Sequence, residues 1–210
     1  MKLLSVNVGQ PRAHQVLGKP SQTGIYKLPT TEPVHVGHLG LAGDHILDVQ
    51  SHGGPDQAVY VYSAQDYDWW AEQQGEALEF GTFGENLTFG GFGPGEIRIG
   101  DRFQVGPVLL EVTSPRTPCG TLAARMNDLT FVKKFVQARR PGFYARALTE
   151  GEVRSGDEVS RHAATDDAPT ILEVADLFYD NSPDRATIER MLRYPVAIRD
   201  REAYETMLAQ

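Results

Sequence analysis

Apolar and polar residues alternate in short runs along the first three quarters of the chain, a pattern typical of half-buried β-strands. Leu4, Val6 and Val8 alternate with polar residues near the N-terminus, and we expect their side chains to share the buried face of a strand. A β-branched and aromatic run over 58–62 predicts another strand. The segment 103–112, interrupted by a Gly-Pro pair, predicts two strands joined by a tight turn.

Helical spacing of apolar residues is confined to two segments of this part of the chain. The segment 63–74 begins with a capping serine and places Tyr67 and Trp70 on one side. The segment 128–140 has apolar residues at helical spacing from Leu129 onward and ends at a Pro-Gly pair. We therefore expect a mainly β body that carries a few peripheral helices.

A seven-residue pattern occurs twice. Gly-Glu-Ile-Arg-Ile-Gly-Asp at 95–101 is followed by Gly-Glu-Val-Arg-Ser-Gly-Asp at 151–157. Both copies place a short extended stretch between glycines and then an aspartate suited to a turn. The residues alone leave two interpretations open: a coincidence of turn chemistry, or two equivalent corners of one barrel-like sheet.

The C-terminal part of the chain has a different pattern, which predicts three short helices. Thr170 begins a capping box and opens the first helix, whose apolar face includes Phe178. The second helix is predicted to start with Ser182 as its cap, and the third to start at Asp200.

The distribution of glycine supports a division of the chain. All 21 glycines lie between Gly9 and Gly156, and glycine is disfavoured inside helices. We predict a body at 1–162 and a three-helix domain at 163–210. Three short helices bury little core alone. The second domain should therefore dock on the first or on a partner, such as an electron donor or a second copy of the chain.

Charge and composition exclude several classes of protein. The net charge of −8 gives no basic footprint for nucleic acid. No apolar run approaches the roughly 18 residues that cross a membrane, and the polar N-terminus is unlike a secretory signal. With one cysteine, the chain has no internal disulfide and cannot build a zinc finger or an iron–sulfur site. We expect a cytoplasmic protein without nucleic-acid or membrane partners.

Cys119 is the first candidate for chemistry. It follows a predicted strand, in a loop stiffened by two prolines, and Arg116 lies three residues before it. A nearby cation lowers the pKa of a thiol and favours the thiolate. The thiolate could be a nucleophile paired with His52, or a soft ligand that holds a metal by one bond. A small buried cysteine without a function is the remaining alternative.

Other candidates lie in loops. His52, Gly53 and Gly54 form a loop whose backbone N–H groups could approach an anion, although an ordinary turn is an equal alternative. Asn86 lies in a glycine-containing loop and could fix a ligand or only cap a turn. Lys19 follows the first strand region, and a lone lysine is usually solvated.

Together the motifs carry a family resemblance. The set Gly-Leu-Ala-Gly-Asp at 40–44, His-Gly-Gly-Pro-Asp-Gln-Ala at 52–58, Phe-Gly-Glu-Asn-Leu at 83–87, Gly-Asp at 100–101 and Pro-Arg-Thr-Pro-Cys at 115–119 resembles the MOSC domain. Gly-Lys-Pro-Ser at 18–21 is similar to the YiiM-like branch, the hydroxylaminopurine-resistance proteins. The tail resembles the three-helix domain that follows MOSC there, so the resemblance covers nearly the whole chain.

The resemblance implies an α+β fold, with a MOSC-type β-barrel and peripheral helices followed by a small three-helix unit. It also implies that the barrel binds the molybdenum cofactor, a pterin dithiolene that ends in a phosphate. Cys119 would be the protein ligand to molybdenum and the catalytic residue. Arg116 and Lys19 would contact the phosphate.

The resemblance assigns the remaining site residues and the activity. His52 and the amide of Gly53 would complete the phosphate cradle, and Asn86 would hold the pterin or the substrate. Members reduce N-hydroxylated compounds, which implies an oxidoreductase for small molecules of that kind. No ferredoxin cysteines or dinucleotide loop are visible, so a separate protein or reductant must donate electrons. A non-catalytic cofactor or sulfur carrier and a cysteine hydrolase stay as alternatives.

Overall fold

The described part of the chain, residues 1–93, 95–180 and 182–209 of a computed structural model, contains thirteen strands and seven α-helices. The strands are β1 (Leu3–Gly9), β2 (Arg12–Val16), β3 (Lys19–Thr23), β4 (Lys27–Thr30), β5 (Val34–Gly37), β6 (Gly40–Leu41), β7 (Val59–Ser63), β8 (Leu87–Phe89), β9 (Arg102–Val105), β10 (Val108–Pro115), β11 (Phe143–Thr149), β12 (Gly151–Val153) and β13 (Val159–His162). The helices are α1 (Val49–His52), α2 (Ala64–Gln74), α3 (Gly120–Arg125), α4 (Phe131–Ala138), α5 (Ile171–Tyr179), α6 (Arg185–Leu192) and α7 (Ile198–Leu208).

One eight-stranded sheet forms the body, in the order β13-β9-β10-β11-β7-β8-β1-β4. Its pairs are antiparallel, except that β7 and β8 are parallel. The strand ladder is open, but the backbone N–H of Leu3 donates to Asp157 and that of Val159 donates to Met1, at 2.9 and 2.8 Å. These bonds bring the first strand beside the edge strand, so the sheet curves around a shared core. The predicted α+β fold is confirmed.

The predicted strands are present, but one of the three residues assigned to the buried face of β1 is exposed: Val6 is buried and Val8 packs against the core, whereas Leu4 does not. Leu4 is 40% exposed, whereas Ser5 and Asn7 are buried. The buried polar side chains bond to each other, since Ser5 Oγ lies 2.7 Å from Asn7 Oδ1, and Asn7 Nδ2 lies 3.3 Å from Thr88 Oγ1. A satisfied polar pair can therefore occupy the inner face, and the apolar alternation did not reveal it.

The repeated pattern forms the same turn twice. Asp101 Oδ2 accepts from the N–H of Arg98, and Asp157 Oδ2 accepts from the N–H of Arg154, both at 2.9 Å. The glycine before each aspartate has a positive φ, +85° at Gly100 and +96° at 156. The two copies therefore form the same turn, and their interpretation as two equivalent corners of one barrel-like sheet stays a prediction.

Helix positions were predicted better than helix ends. The helix at 128–140 begins only at Phe131, because Asp128 bonds to the N–H of Thr130 and forms a turn, and Leu129 is left exposed. Helix α6 is capped by Asp184 rather than Ser182. Helix α7 begins two residues before Asp200.

The C-terminal helices pack on the sheet. Ile171 and Val174 of α5 and Met191 of α6 belong to the same buried cluster as the strand residues of the body. The capping box at Thr170 and Glu173 is confirmed, but Phe178 faces solvent because Leu177 takes the buried position. The division at 162/163 stays a prediction; Asn181 and Gln210 of the predicted tail lie outside the described residues.

Candidate functional site

A cavity of about 180 Å³ lies where the end of the sheet meets the β2–β3 hairpin and the loop 45–48. Four of the six residues predicted for the site line it, although they come from distant parts of the sequence: His52, Asn86, Arg116 and Cys119. The remaining lining is mixed, with apolar and aromatic side chains beside polar ones. Such a cavity suits a ligand that is fixed by a few polar contacts.

Cys119 is held between a strand and a helix. Strand β10 ends at Pro115, the chain continues through a second proline, and Cys119 occupies the position just before α3 in an extended conformation. Burial would raise the pKa of the thiol, but a hydrogen bond with His52, the charge of Arg116 and the N–H of Leu122 lower it to about 6. The side chain is therefore predominantly thiolate at neutral pH.

His52 ends the short helix α1, which Asp48 caps by accepting from the N–H of Ser51 at 3.1 Å. This capped turn places the imidazole beside Cys119, and its Nδ1 lies 3.2 Å from the hydroxyl of Tyr144 on β11. The imidazole thus joins the tyrosine and the thiol. Sequence reasoning did not find Tyr144, because it lies in an ordinary apolar strand.

Arg116 lines the cavity and is almost fully buried. Its guanidinium carbon lies 4.8 Å from the centre of the Tyr60 ring, a cation–π contact. Its Nε has no hydrogen-bond partner within the described residues. A buried guanidinium with an unsatisfied donor is costly, and an anion at this point would satisfy it.

Gly84 lets the chain approach this arginine closely. Its φ is +78°, and a Cβ there would lie 2.8 Å from Cγ1 of Ile25 and 3.4 Å from NH1 of Arg116. A side chain at this position would fill the space beside the guanidinium. The glycine of the predicted loop therefore has a specific structural role.

A buried network was missed from the sequence. Lys27 of β4 lines the cavity and forms a buried ion pair with Asp44. Desolvation lowers the pKa of Lys27, and the neighbouring Asp44 opposes that shift. Asp44 also accepts from Asn86 Nδ2 at 2.9 Å and from the N–H of Gly9 at 2.7 Å. Only Asp44 of this pair lay in a recognisable motif.

The same network occupies the side chain of Asn86. Its Oδ1 accepts from the N–H of Tyr60 at 3.1 Å while its Nδ2 donates to Asp44. The amide thus ties the loop to strand β7, and its predicted contact with a ligand stays a prediction.

Two predicted site residues are not among the residues that line the cavity. Lys19 is exposed on the β2–β3 hairpin, and Gly53 lies beside the cavity as the residue that ends α1. A Cβ at Gly53 would lie 2.9 Å from the backbone of Val49, which explains the glycine by packing within the turn. Ligand contacts by these two residues stay predictions.

Comparisons with known proteins identify the family. Residues 48–160, more than half of the chain, match the model of the MOSC domain. The chain belongs to the MOSC family. MOSC domains are named after the C-terminal domain of molybdenum cofactor sulfurases, which relates the protein to the chemistry of that cofactor.

Individual relatives show where this chain belongs within the MOSC family. It is 34% identical over 190 residues to the uncharacterized protein YflK of Bacillus subtilis, covering 90% of this chain and 86% of the relative. It is 34% identical over 162 residues to a protein of Gibberella moniliformis named reductase, covering 75% of this chain and 28% of that longer protein. The crystal structure of YiiM from Geobacillus stearothermophilus superposes with a TM-score of 0.81 at 27% identity, covering 99% and 98% of the two chains. The chain is a YiiM-like MOSC protein.

Among the described residues, no group of three or more His, Cys, Asp or Glu side chains could hold a metal ion. Among the same residues, no helix is long and apolar enough to cross a membrane.

Proposed function

We propose that the chain is a molybdenum-cofactor-dependent oxidoreductase that reduces small N-hydroxylated compounds such as hydroxylaminopurine. The observation that supports this most is the low pKa of Cys119, in contact with His52, in a cavity that also contains the unpartnered Nε of Arg116. Cys119 is the proposed metal ligand, and Arg116 and Lys27 are the proposed partners of the anionic part of the cofactor.

The residues present fit this cofactor. A single thiolate is enough for a metal whose other ligands belong to the cofactor, but it cannot hold a bare ion. Arg116 offers a planar donor set that matches phosphate or another anion. Lys27 adds a second buried cation on the same cavity, with Asp44 as its counter-ion.

The reaction has a simple balance. Conversion of R–NHOH to R–NH2 and water consumes two electrons and two protons as the N–O bond breaks. The cofactor, when bound, supplies the two-electron chemistry, and the protein supplies position and electrostatics. His52 keeps Cys119 deprotonated and can hold a proton between the thiol and the hydroxyl of Tyr144. We propose a separate protein or small reductant as the electron donor.

The test measures cofactor and turnover separately. Protein from a cofactor-competent host should contain stoichiometric molybdenum and pterin phosphate, and should convert hydroxylaminopurine to adenine with a chemical reductant. Cys119→Ala should lose the metal and the turnover, whereas the control Lys133→Gln, at an exposed position on helix α4, should keep the metal. A Cys119→Ala protein that keeps both would disprove the assignment.

The other outcomes identify the alternatives. Stoichiometric cofactor without any turnover of hydroxylaminopurine would indicate a carrier. The contact between Cys119 and His52 also satisfies one requirement of a cysteine hydrolase. Hydrolysis that a thiol reagent blocks in metal-free protein would favour that function instead.

A further inference from the structure

A basic cluster lies beside the cavity, on the β2–β3 hairpin and helix α3. The guanidinium carbons of Arg12 and Arg125 lie 4.3 and 4.8 Å from the centre of the Tyr26 ring. His14 Nδ1 lies 3.1 Å from the Tyr26 hydroxyl. Three basic side chains thus surround one tyrosine.

These groups have few partners of their own. Arg125 donates through NH1 to the carbonyl of Ile25 at 2.9 Å, and His14 Nε2 is buried with no partner in the described residues. No carboxylate in that part of the chain lies within salt-bridge distance of Arg12 or Arg125. In a protein of net charge −8, such uncompensated cations need an explanation.

The sequence reinforces this local charge. The first 31 residues contain no Asp or Glu, although the chain as a whole has 28. Burial lowers the pKa of Arg125, and the charge of Glu85, which is itself fully buried, opposes that shift. Its Oε1 already accepts from Tyr67, Gly81 and Thr88. The cluster therefore presents positive charge toward the rim of the cavity.

The cluster is continuous with the cavity on two elements. Thr121 lines the cavity, and Arg125 lies four residues later on α3, about one turn along the same face. Arg12 pairs across the hairpin with Thr23, which also lines the cavity. Helix α3, which begins just after Cys119, is about 9 Å long. A ligand that reacts at Cys119 and is somewhat longer than this helix would place its far end among these side chains.

We propose that Arg12, His14 and Arg125 bind the phosphate monoester of the substrate, so that this chain acts on N-hydroxylated nucleotides in preference to free bases. Guanidinium groups match phosphate oxygens, and the unpartnered His14 Nε2 provides a further possible donor. This inference rests on the proposed function for its chemistry. The phosphate could also come from the cofactor, and the experiment separates the two sources.

Product binding tests the site without turnover. Adenosine 5′-monophosphate is the product that a hydroxylaminopurine nucleotide would yield, and adenosine lacks only the phosphate. Calorimetry should give a dissociation constant at least roughly tenfold lower for the monophosphate, as expected for hydrogen bonds to a charged group. The double variant Arg12→Gln/Arg125→Gln should lose that difference and keep its affinity for adenosine. The matched control Arg193→Gln, exposed on the tail, should keep the difference.

Three results would overturn the proposal. They are equal affinity of the wild type for the two ligands, an unchanged preference in the double variant, and loss of molybdenum from the double variant, which would assign the cluster to the cofactor. The single variant Arg12→Gln, at an exposed position, should weaken the preference if the double variant fails to fold. A wild type without molybdenum that still prefers the monophosphate would refute the proposed reductase and leave the phosphate site intact.

Discussion

His52 lies beside Cys119 and lowers the pKa of its thiol, and the imidazole Nδ1 lies 3.2 Å from the hydroxyl of Tyr144. His52 ends the four-residue helix α1, which precedes strand β10 in the sequence. Cys119 follows β10 and lies just before helix α3. This contact, together with Arg116, decides the protonation state of the only cysteine.

The first prediction concerns the pH dependence of Cys119. In cofactor-free protein, the alkylation rate of the thiol should rise with pH around a midpoint of about 6. His52→Gln should move the midpoint upward, and a midpoint about one pH unit higher leaves about tenfold less thiolate at a pH well below it. Iodoacetamide kinetics between about pH 4 and 10 measure this change. The exposed His38→Gln variant is the control and should leave the midpoint unchanged.

The lowered pKa of Cys119 also has a consequence for stability. Because the folded state lowers this pKa, the thiolate stabilises the fold above the ordinary pKa of a thiol, and this contribution is lost as the pH falls through about 6. For the alkylation experiment, a midpoint near the pKa of a free thiol in both the wild type and His52→Gln would contradict the contact between His52 and Cys119.

The second prediction concerns the buried pair of Lys27 and Asp44. Asp44→Ala leaves the ammonium group unpaired and removes the acceptor for Asn86 and Gly9, so the free energy of unfolding should fall by about 3–5 kcal/mol. Glu158→Ala, which breaks the exposed pair with Lys2, should change it by about 0–1 kcal/mol. Urea denaturation measures both, and equal losses would show that burial does not determine the strength of the pair.

The third prediction compares two glycines with the same backbone conformation. Gly84 and Gly75 have φ of +78° and +77°, but a Cβ at Gly75 meets nothing within 4 Å. Both changes to Ala should cost about 1–2 kcal/mol for the left-handed conformation. Only Gly84→Ala should also lower the molybdenum content, because it displaces Ile25 or Arg116. Equal molybdenum content in the two variants would show that the cofactor does not need the space that Gly84 leaves beside Arg116.

The fourth prediction concerns the docking of the tail. Ile171→Ala removes a fully buried side chain from the cluster that α5 shares with the sheet and should destabilise the protein by about 2–5 kcal/mol. The neighbouring Phe178→Ala, at a position 62% exposed, should change stability by about 0.5 kcal/mol or less. Both variants should unfold in one transition by calorimetry. A separate low-temperature transition in Ile171→Ala would instead indicate that 163–210 unfolds as an independent domain.

The sequence predicted the presence of elements better than their faces and ends. Strand β7 and the capping box at Thr170 depend on local propensity and capping, which a short window of sequence contains. Leu4 and Leu129 were misassigned because their exposure depends on what packs on the other side. In β1 a bonded polar pair, Ser5 and Asn7, is buried along with Val6, while Leu4 is exposed.

The candidate site shows the same limit. The resemblance brought His52, Arg116 and Cys119 together as candidates, and they do line one cavity. It did not point to Lys27 or Tyr144, which lie in strands whose local sequence has no motif. Their side chains acquire a role only when β4 and β11 are placed beside the cavity.

The sequence by itself determined the α+β composition, the glycine-rich loops, the glycine-free helical tail and the family. These follow from local backbone preference and from motifs in a fixed order. Only the tertiary structure decided which charges are buried, which of them meet, and how far each is compensated. Lys27 forms an ion pair with Asp44, whereas Nε of Arg116 has no hydrogen-bond partner among the described residues. The physical reason is that desolvation and ion pairing depend on the distances between residues far apart in the chain, and residue order does not contain those distances.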